Sequence, residues 1–272
     1  MCGGTQGWRG SVRILAVLRV SHGHDRSGSA GNRPAASDVA GAVFAQCDTA
    51  LGHVTTSHTM ELTWHGRARF RLRAGGLTWW FDTGMDVAGY EVDAATIVLD
   101  ARATQAVGRM GPGAMPVLDG PGEYELRGVP VVAVRTSAPG VAREGRHVAF
   151  RVGVDGLHVG YLGADGGVAG FAGVSRVVGD LAPVDVAILP VGDGYGFGAS
   201  DALSFARSLE AKVTVAYAPE GDANAEEAVR RLCREMGSGV DVRLRSVSFT
   251  GTSIPSVPQV VVLANRADAD AS

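Results

Sequence analysis

From Met60 onward the hydrophobic positions fall into short, regular runs separated by turn residues; before Met60 they do not. Glu61-Leu62-Thr63-Trp64 reads as a short strand. Arg67, Arg69, Arg71 and Arg73 then alternate with Ala68, Phe70 and Leu72, a period of two that predicts a strand with one wet face. Gly75-Gly76 turns the chain into Leu77–Phe81, which ends at Asp82. Thr96-Ile97-Val98-Leu99 is a short apolar run of the kind that makes a strand buried on both faces. Further strands are predicted at Gly122–Leu126 and Val129–Arg135. His147–Val154 and Leu157–Leu162 flank Asp155-Gly156, a type I′ hairpin signature.

The second half adds helical periods. Val184–Leu189 is a nearly continuous apolar strand closed by Pro190, and Lys212–Tyr217 is another. Between them a helix is expected at about 200–210 with Ser200 as its N-cap. Asn224–Met236 carries the clearest helical pattern: Ala225, Ala228, Val229, Leu232, Cys233 and Met236 share one face. Asn224 with Glu227 forms a capping-box pattern, and Gly237 supplies the stop. Val242–Val247 and Gln259–Leu263 read as late strands. Strands joined by hairpins, then helices between strands, predict two mixed β-sheets packed together with helices outside, an α/β or α+β sandwich.

Composition narrows the function classes. The 272 residues are 46% hydrophobic and 19% charged, with a formal net charge of −3. No basic stripe interleaved with aromatics is present, so no nucleic-acid partner is expected. No apolar run reaches the length of a membrane span; Ile14–Leu18 is too short, and Arg19 interrupts it. Cys2, Cys47 and Cys233 are scattered without CxxC spacing, which argues against a disulfide framework and for a cytoplasmic protein. Residues 1–59 are rich in Gly, Ser, Ala and Thr and hold no sustained amphipathic period, so they read as a disordered extension or a start placed too far upstream. The folded domain is expected to be 60–272.

Candidate chemistry concentrates after the Thr96–Leu99 strand, because loops at strand C-terminal ends usually carry the site in such sheets. The polar groups there are Asp100, Arg102, Thr104 and Gln105, with no His and no Cys. Asp82, Asp100, Asp165 and Asp193 all follow strands that should end at one edge. They form either a charge network with Arg102 as counter-ion, the reading adopted, or an oxygen site for a hard cation. Ser21-His22-Gly23-His24-Asp25 has the look of a metal motif but sits in low-complexity sequence. His65, His147 and His158 occupy separate strand positions and read as structural. The glycine-rich run Gly192–Gly198 reads as a structural turn. Ser200 and Cys233 have no neighbouring His in the pattern, so no nucleophilic triad is placed.

Residues 60–265 resemble the metallo-β-lactamase fold, in particular the Zn-dependent hydrolases similar to L-ascorbate-6-phosphate lactonase. The resemblance rests on Thr63-Trp64-His65-Gly66 with Phe70, Trp80-Phe81-Asp82, Pro121-Gly122-Glu123-Tyr124-Glu125, Leu162-Gly163, Leu189-Pro190-Val191-Gly192 and Lys212-Val213. It implies a four-layer αββα sandwich with zinc at one edge of the sheets. It also implies a His-x-His-x-Asp-His ligand motif where this chain has Asp100, Arg102, Thr104 and Gln105. Ala138, Ala164 (with Asp165 one place late) and Ala218 stand at the remaining ligand positions. No catalytic residue and no metal ligand is therefore assigned, and no cofactor is expected although the family would imply zinc. The expectation is an inactive homologue that binds a small molecule or a protein. The alternative is an active metal-dependent hydrolase of lactone or phosphoester type built on a non-standard carboxylate site.

Expressed alone, 60–272 should melt within a few degrees of the full chain. Insoluble protein, or a collapse in melting temperature, would place part of the core upstream of Met60.

Overall fold

The apolar runs pair into two mixed sheets that bury one face against each other. The computed structural model describes residues 59–82, 93–101, 116–136, 147–163, 174–192, 197–218, 224–238 and 243–265. All of them lie in the compact unit that includes residues 58–272; the second unit, 16–57, lies outside the described residues.

The first sheet contains β1 (Met60–Trp64), β2 (Phe70–Ala74), β3 (Leu77–Phe81), β4 (Thr96–Leu99) and β5 (Val117–Leu118), with β13 (Val247–Phe249) beside β1. Pairing is antiparallel from β13 to β3 and parallel from β3 to β5. The second sheet begins at one side with β6 (Gly122–Leu126), β7 (Val129–Arg135), β8 (Val148–Val154) and β9 (Leu157–Tyr161), all antiparallel. It continues in parallel through β10 (Val186–Pro190), β11 (Val213–Tyr217), β14 (Gln259–Leu263) and β12 (Arg243–Leu244). Asp155 and Gly156 both have positive φ, 53° and 76°, as a type I′ turn requires.

Alternation decides what each face meets. Leu62, Trp64, Phe70, Leu72, Trp79, Phe81, Ile97 and Leu99 turn inward from the first sheet. They pack on Val131, Val152, Val159, Tyr161, Ile188 and Val215 of the second. The second sheet's other face is covered by helices α1 (Val174–Leu181), α2 (Ala199–Ser208) and α3 (Ala225–Glu235). Among the described residues the layers are therefore sheet, sheet, helix, with Cys233 buried on the inner face of α3 as its period predicts.

Several local expectations shift. Residues 65–69 form a turn rather than the start of β2, closed by His65 N–H to Arg69 O at 2.9 Å and Arg69 N–H to Gly66 O at 3.0 Å. The wet face of β2 is not uniformly wet: Arg71 is only 6% exposed and lies 5.8 Å from the centre of the Trp80 ring. A long aliphatic stem and a flat guanidinium let Arg cover an aromatic face in this way. Ser200 lies inside α2, whose N-cap is Gly198. Asn224 is the N-cap of α3 but its side chain makes no capping bond; Glu227 instead pairs with Arg234 at 2.7 Å and Arg230 at 3.6 Å. The 242–247 run divides between the two sheets as β12 and β13. Helix α1 and the two-residue β5 had no strong pattern in the sequence.

The aromatic centre of the inter-sheet core is Phe70, within 6.3 Å of Trp64, 6.3 Å of Tyr161 and 5.1 Å of Tyr217, centre to centre. Phe70→Ala should cost about 3–5 kcal/mol in urea unfolding. A loss under about 1 kcal/mol would mean that the two sheets repack without it.

Candidate functional site

Strands β3, β4, β9, β10 and β11 all run toward one edge of the sandwich, and of the residues that the sequence singles out Asp82, Asp100 and Ala218 directly follow β3, β4 and β11 there. Asp82 follows β3 with φ 49°, a left-handed conformation that Asp tolerates better than most residues. Its backbone N–H donates to Leu99 O at 2.9 Å, which extends the β3–β4 ladder by one step. Its side chain then turns across the end of the sheet. Oδ1 accepts the backbone N–H of Ala101 at 2.5 Å, and Oδ2 accepts the hydroxyl of Tyr161 at 2.6 Å.

Tyr161 comes from the other sheet. Leu157, Val159 and Tyr161 point inward along β9, and Tyr161 at its end is fully buried against Phe81, ring centres 4.6 Å apart. The same hydroxyl lies 2.7 Å from Ala68 O in the β1–β2 turn, so one proton is shared between a carboxylate and a carbonyl. Burial raises the phenol's pKa well above its ordinary value, and the nearby Asp82 charge, with smaller effects from Tyr217 and Asp100, raises it further. A phenol held neutral in this way is a donor and an anchor, not a base.

The two sheets meet again at this edge through Val148 N–H donating to Ala101 O at 2.8 Å. Gly163, just past β9, completes the closure. A Cβ placed there would sit 2.6 Å from the Ala101 Cβ and 2.9 Å from Asp82 Oδ2, so no larger residue fits without moving the loop after β4. Asp100 is 3% exposed beside this junction, and its backbone N–H donates to Leu118 O at 2.9 Å.

Of the sequence candidates, Asp82 and Asp100 share this edge, and Ala218 directly follows β11 there. Arg102, Thr104, Gln105, Ala138, Ala164, Asp165 and Asp193 lie outside the described residues, as does the 21–25 motif. Two histidines sit closer to the edge than their strand positions suggested. His65 follows the end of β1, its Nε2 3.1 Å from Thr63 Oγ1 and its ring 4.8 Å from that of Trp80. His147 precedes β8, and its carbonyl accepts the Thr136 N–H at 2.9 Å. His158 stays at the opposite end, where its backbone N–H donates to Asp185 at 2.9 Å. Tyr161 and Gly163 were not singled out as site residues; the signal was an aromatic hydroxyl at an inward position where a strand ends, followed by a glycine.

The residues at the matched positions do not fit a zinc centre. A catalytic zinc takes three protein ligands from imidazole, thiolate or carboxylate. Ala218 has no donor atom, and both Asp82 oxygens already accept hydrogen bonds that hold the two sheets together. Among the described residues no three of His, Cys, Asp and Glu come together as a metal would need. Residues 101–115, the stretch that follows Asp100, contain no His, Cys, Asp or Glu at all.

Residues 61–218 match the family profile described as a beta-lactamase superfamily domain. Among solved structures the chain is similar to a Thermotoga maritima protein assigned to the Zn-dependent hydrolases of the metallo-β-lactamase superfamily. The two are 25% identical, with a TM-score of 0.54 and coverage of 75% of this chain and 98% of that one. It is also similar in fold to a metallo-hydrolase from Ignicoccus hospitalis, 18% identical, TM-score 0.51, covering 70% of this chain and 98% of that one. No curated protein matches significantly.

Tyr161→Phe removes the shared proton and should destabilise the protein by about 1–3 kcal/mol at pH 7, because the Asp82 carboxylate loses a donor. The phenol's pKa is raised in the folded state, so its contribution is complete below the unfolded value of about 10 and is lost as pH rises through the folded value. The gap between native and variant stability should therefore narrow above about pH 10. Equal pH profiles for the two proteins would show that Tyr161 ionises as freely folded as unfolded.

Proposed function

The chain belongs to the metallo-β-lactamase superfamily, and from that premise we propose that it is a member without the hydrolytic metal centre, whose sheet edge binds a small molecule or a protein. The observation that carries the reading is the composition of the loop after β4: from Ala101 to Met115 it offers no residue of the kinds that hold zinc. Arg102 adds a fixed cation at a position where the superfamily places an imidazole. Without a bound metal there is no acidified water and no Lewis acid for a leaving group, and fold alone does not supply chemistry.

What the edge retains is a rigid frame. Asp82, Tyr161 and Gly163 fix Ala101 against the end of β9. Asp100 places a carboxylate beside that junction. A binding role uses such a frame as well as a catalytic role does, because it limits the ordering cost when a ligand arrives. The setting proposed is the cytoplasm, in keeping with the scattered cysteines.

The test is metal content and response. Purified protein should carry no stoichiometric zinc, iron or manganese by elemental analysis, and added Zn²⁺ should leave the melting temperature unchanged. A site filled to a hundredfold over its dissociation constant would instead stabilise by about 2.7 kcal/mol. Simple lactones and phosphoesters should not be hydrolysed above background. A zinc-dependent rise in melting temperature that disappears in Asp100→Ala or Asp165→Ala, with matching hydrolysis, would establish an active carboxylate site and overturn the proposal.

A further inference from the structure

At the far end of the sandwich from the candidate edge, helices α2 and α3 finish side by side and leave an open cavity of about 370 Å³ between their last turns. Its floor is apolar and built from small or flexible side chains: Ala206, Ala211, Met236 and Pro258. Its rim carries Arg207 and Glu210, with Glu235 opposite. The volume is within the range of small-molecule sites.

Two features of the rim set it apart from an ordinary helix end. The first is how α2 stops. Both helices close with the same pair of bonds. In α3, Gly237 N–H reaches Arg234 O at 3.1 Å and Ser238 N–H reaches Cys233 O at 2.9 Å. In α2, Glu210 N–H reaches Arg207 O and Ala211 N–H reaches Ala206 O, both at 3.0 Å. This cap requires a left-handed residue, for which glycine is the usual choice. Gly237 meets it at φ 67°, but α2 places a glutamate there at φ 58°. A side chain kept where glycine would relieve strain is a reason to ask what that side chain does.

The second feature is the absence of pairing. Arg207 and Glu210 line the same cavity, three residues apart with opposite charge, yet neither has an ion-pair partner among the described residues. Glu235 is engaged by Arg231 at 3.6 Å, and the nearby Lys212 by Asp185 at 2.9 Å. One cation and one anion are thus presented over an apolar floor.

We propose that this cavity binds a small zwitterion of amino-acid type with an apolar side chain. Its carboxylate faces the Arg207 guanidinium, a fork suited to that group. Its ammonium faces Glu210, helped by the negative ends of two helices. Its side chain rests on Ala206, Ala211, Met236 and Pro258. The site is independent of the sheet edge, and neither reading needs the other.

The experiment is a titration of the full chain with L-leucine, followed by amide and arginine Nε–H NMR shifts. 3-Methylbutylamine and 4-methylpentanoate, each lacking one of the two charges, are titrated in parallel. Saturable shifts at Arg207, Glu210 and Gly237 are expected with leucine, and at least tenfold weaker binding with either single-charge compound. Glu210→Gly should abolish saturation while its melting temperature stays level or rises, since the cap then has its preferred residue. This keeps loss of binding apart from loss of fold. Arg207→Gln should weaken leucine and leave the amine unaffected. Non-saturating shifts in the native protein, equal affinity for all three compounds, or undiminished binding by Glu210→Gly would each overturn the proposal.

Discussion

One hydrogen bond between sheets organises the candidate edge. The Tyr161 hydroxyl, rooted in the second sheet, donates to Asp82 at the end of the first, and Asp82 in turn holds the Ala101 N–H. In the buried setting of Tyr161 such bonds are electrostatically strong, and leaving one unmade is costly. The packing below adjoins it: the Phe81 ring lies tilted against that of Tyr161, and Phe70 makes edge contacts with both Tyr161 and Tyr217. The closure above meets the same residues, since Gly163 packs where any Cβ would collide with Ala101 and Asp82. The junction thus ties the two sheets together through residues that directly follow or end their strands.

The sequence made the fold legible wherever periodicity and turn chemistry agreed. The Asp155-Gly156 hairpin, the inward face of α3 and the buried run Thr96–Leu99 each had two independent signals, and each lies where it was expected. Failures came where one signal stood alone. Ser200 and the Asn224–Glu227 pair satisfied cap statistics, but Gly198 took the cap of α2, and Arg234 and Arg230 drew Glu227 away. Arg71 followed the polar phase of β2 yet is buried, because Trp80 on the next strand offered its ring face. A single-strand pattern cannot report what a neighbouring strand presents.

The site was legible in a different sense. Asp82 and Asp100 could be placed on one edge because each follows a strand, and strands running in the same direction end together. The tie between sheets could not be anticipated: Tyr161 and Asp82 are separated by 79 residues, and nothing local to either indicates the other. The edge positions of His65 and His147 were equally hidden, since nearness to an edge depends on strand direction in the assembled sheet. The strained Glu210 was equally silent, because a glutamate after a helix looks like any solvated surface residue until its φ is known.

The sandwich therefore has two chemically distinct ends, and its only lysine marks one of them. Lys212 precedes β11, opposite the candidate edge, with its side chain half exposed and its amine held by Asp185 at 2.9 Å. Attachment to a solid support through that side-chain amine would tether the molecule by the end away from the candidate edge. The C-terminal strand ends would then face outward, open to whatever is passed over them.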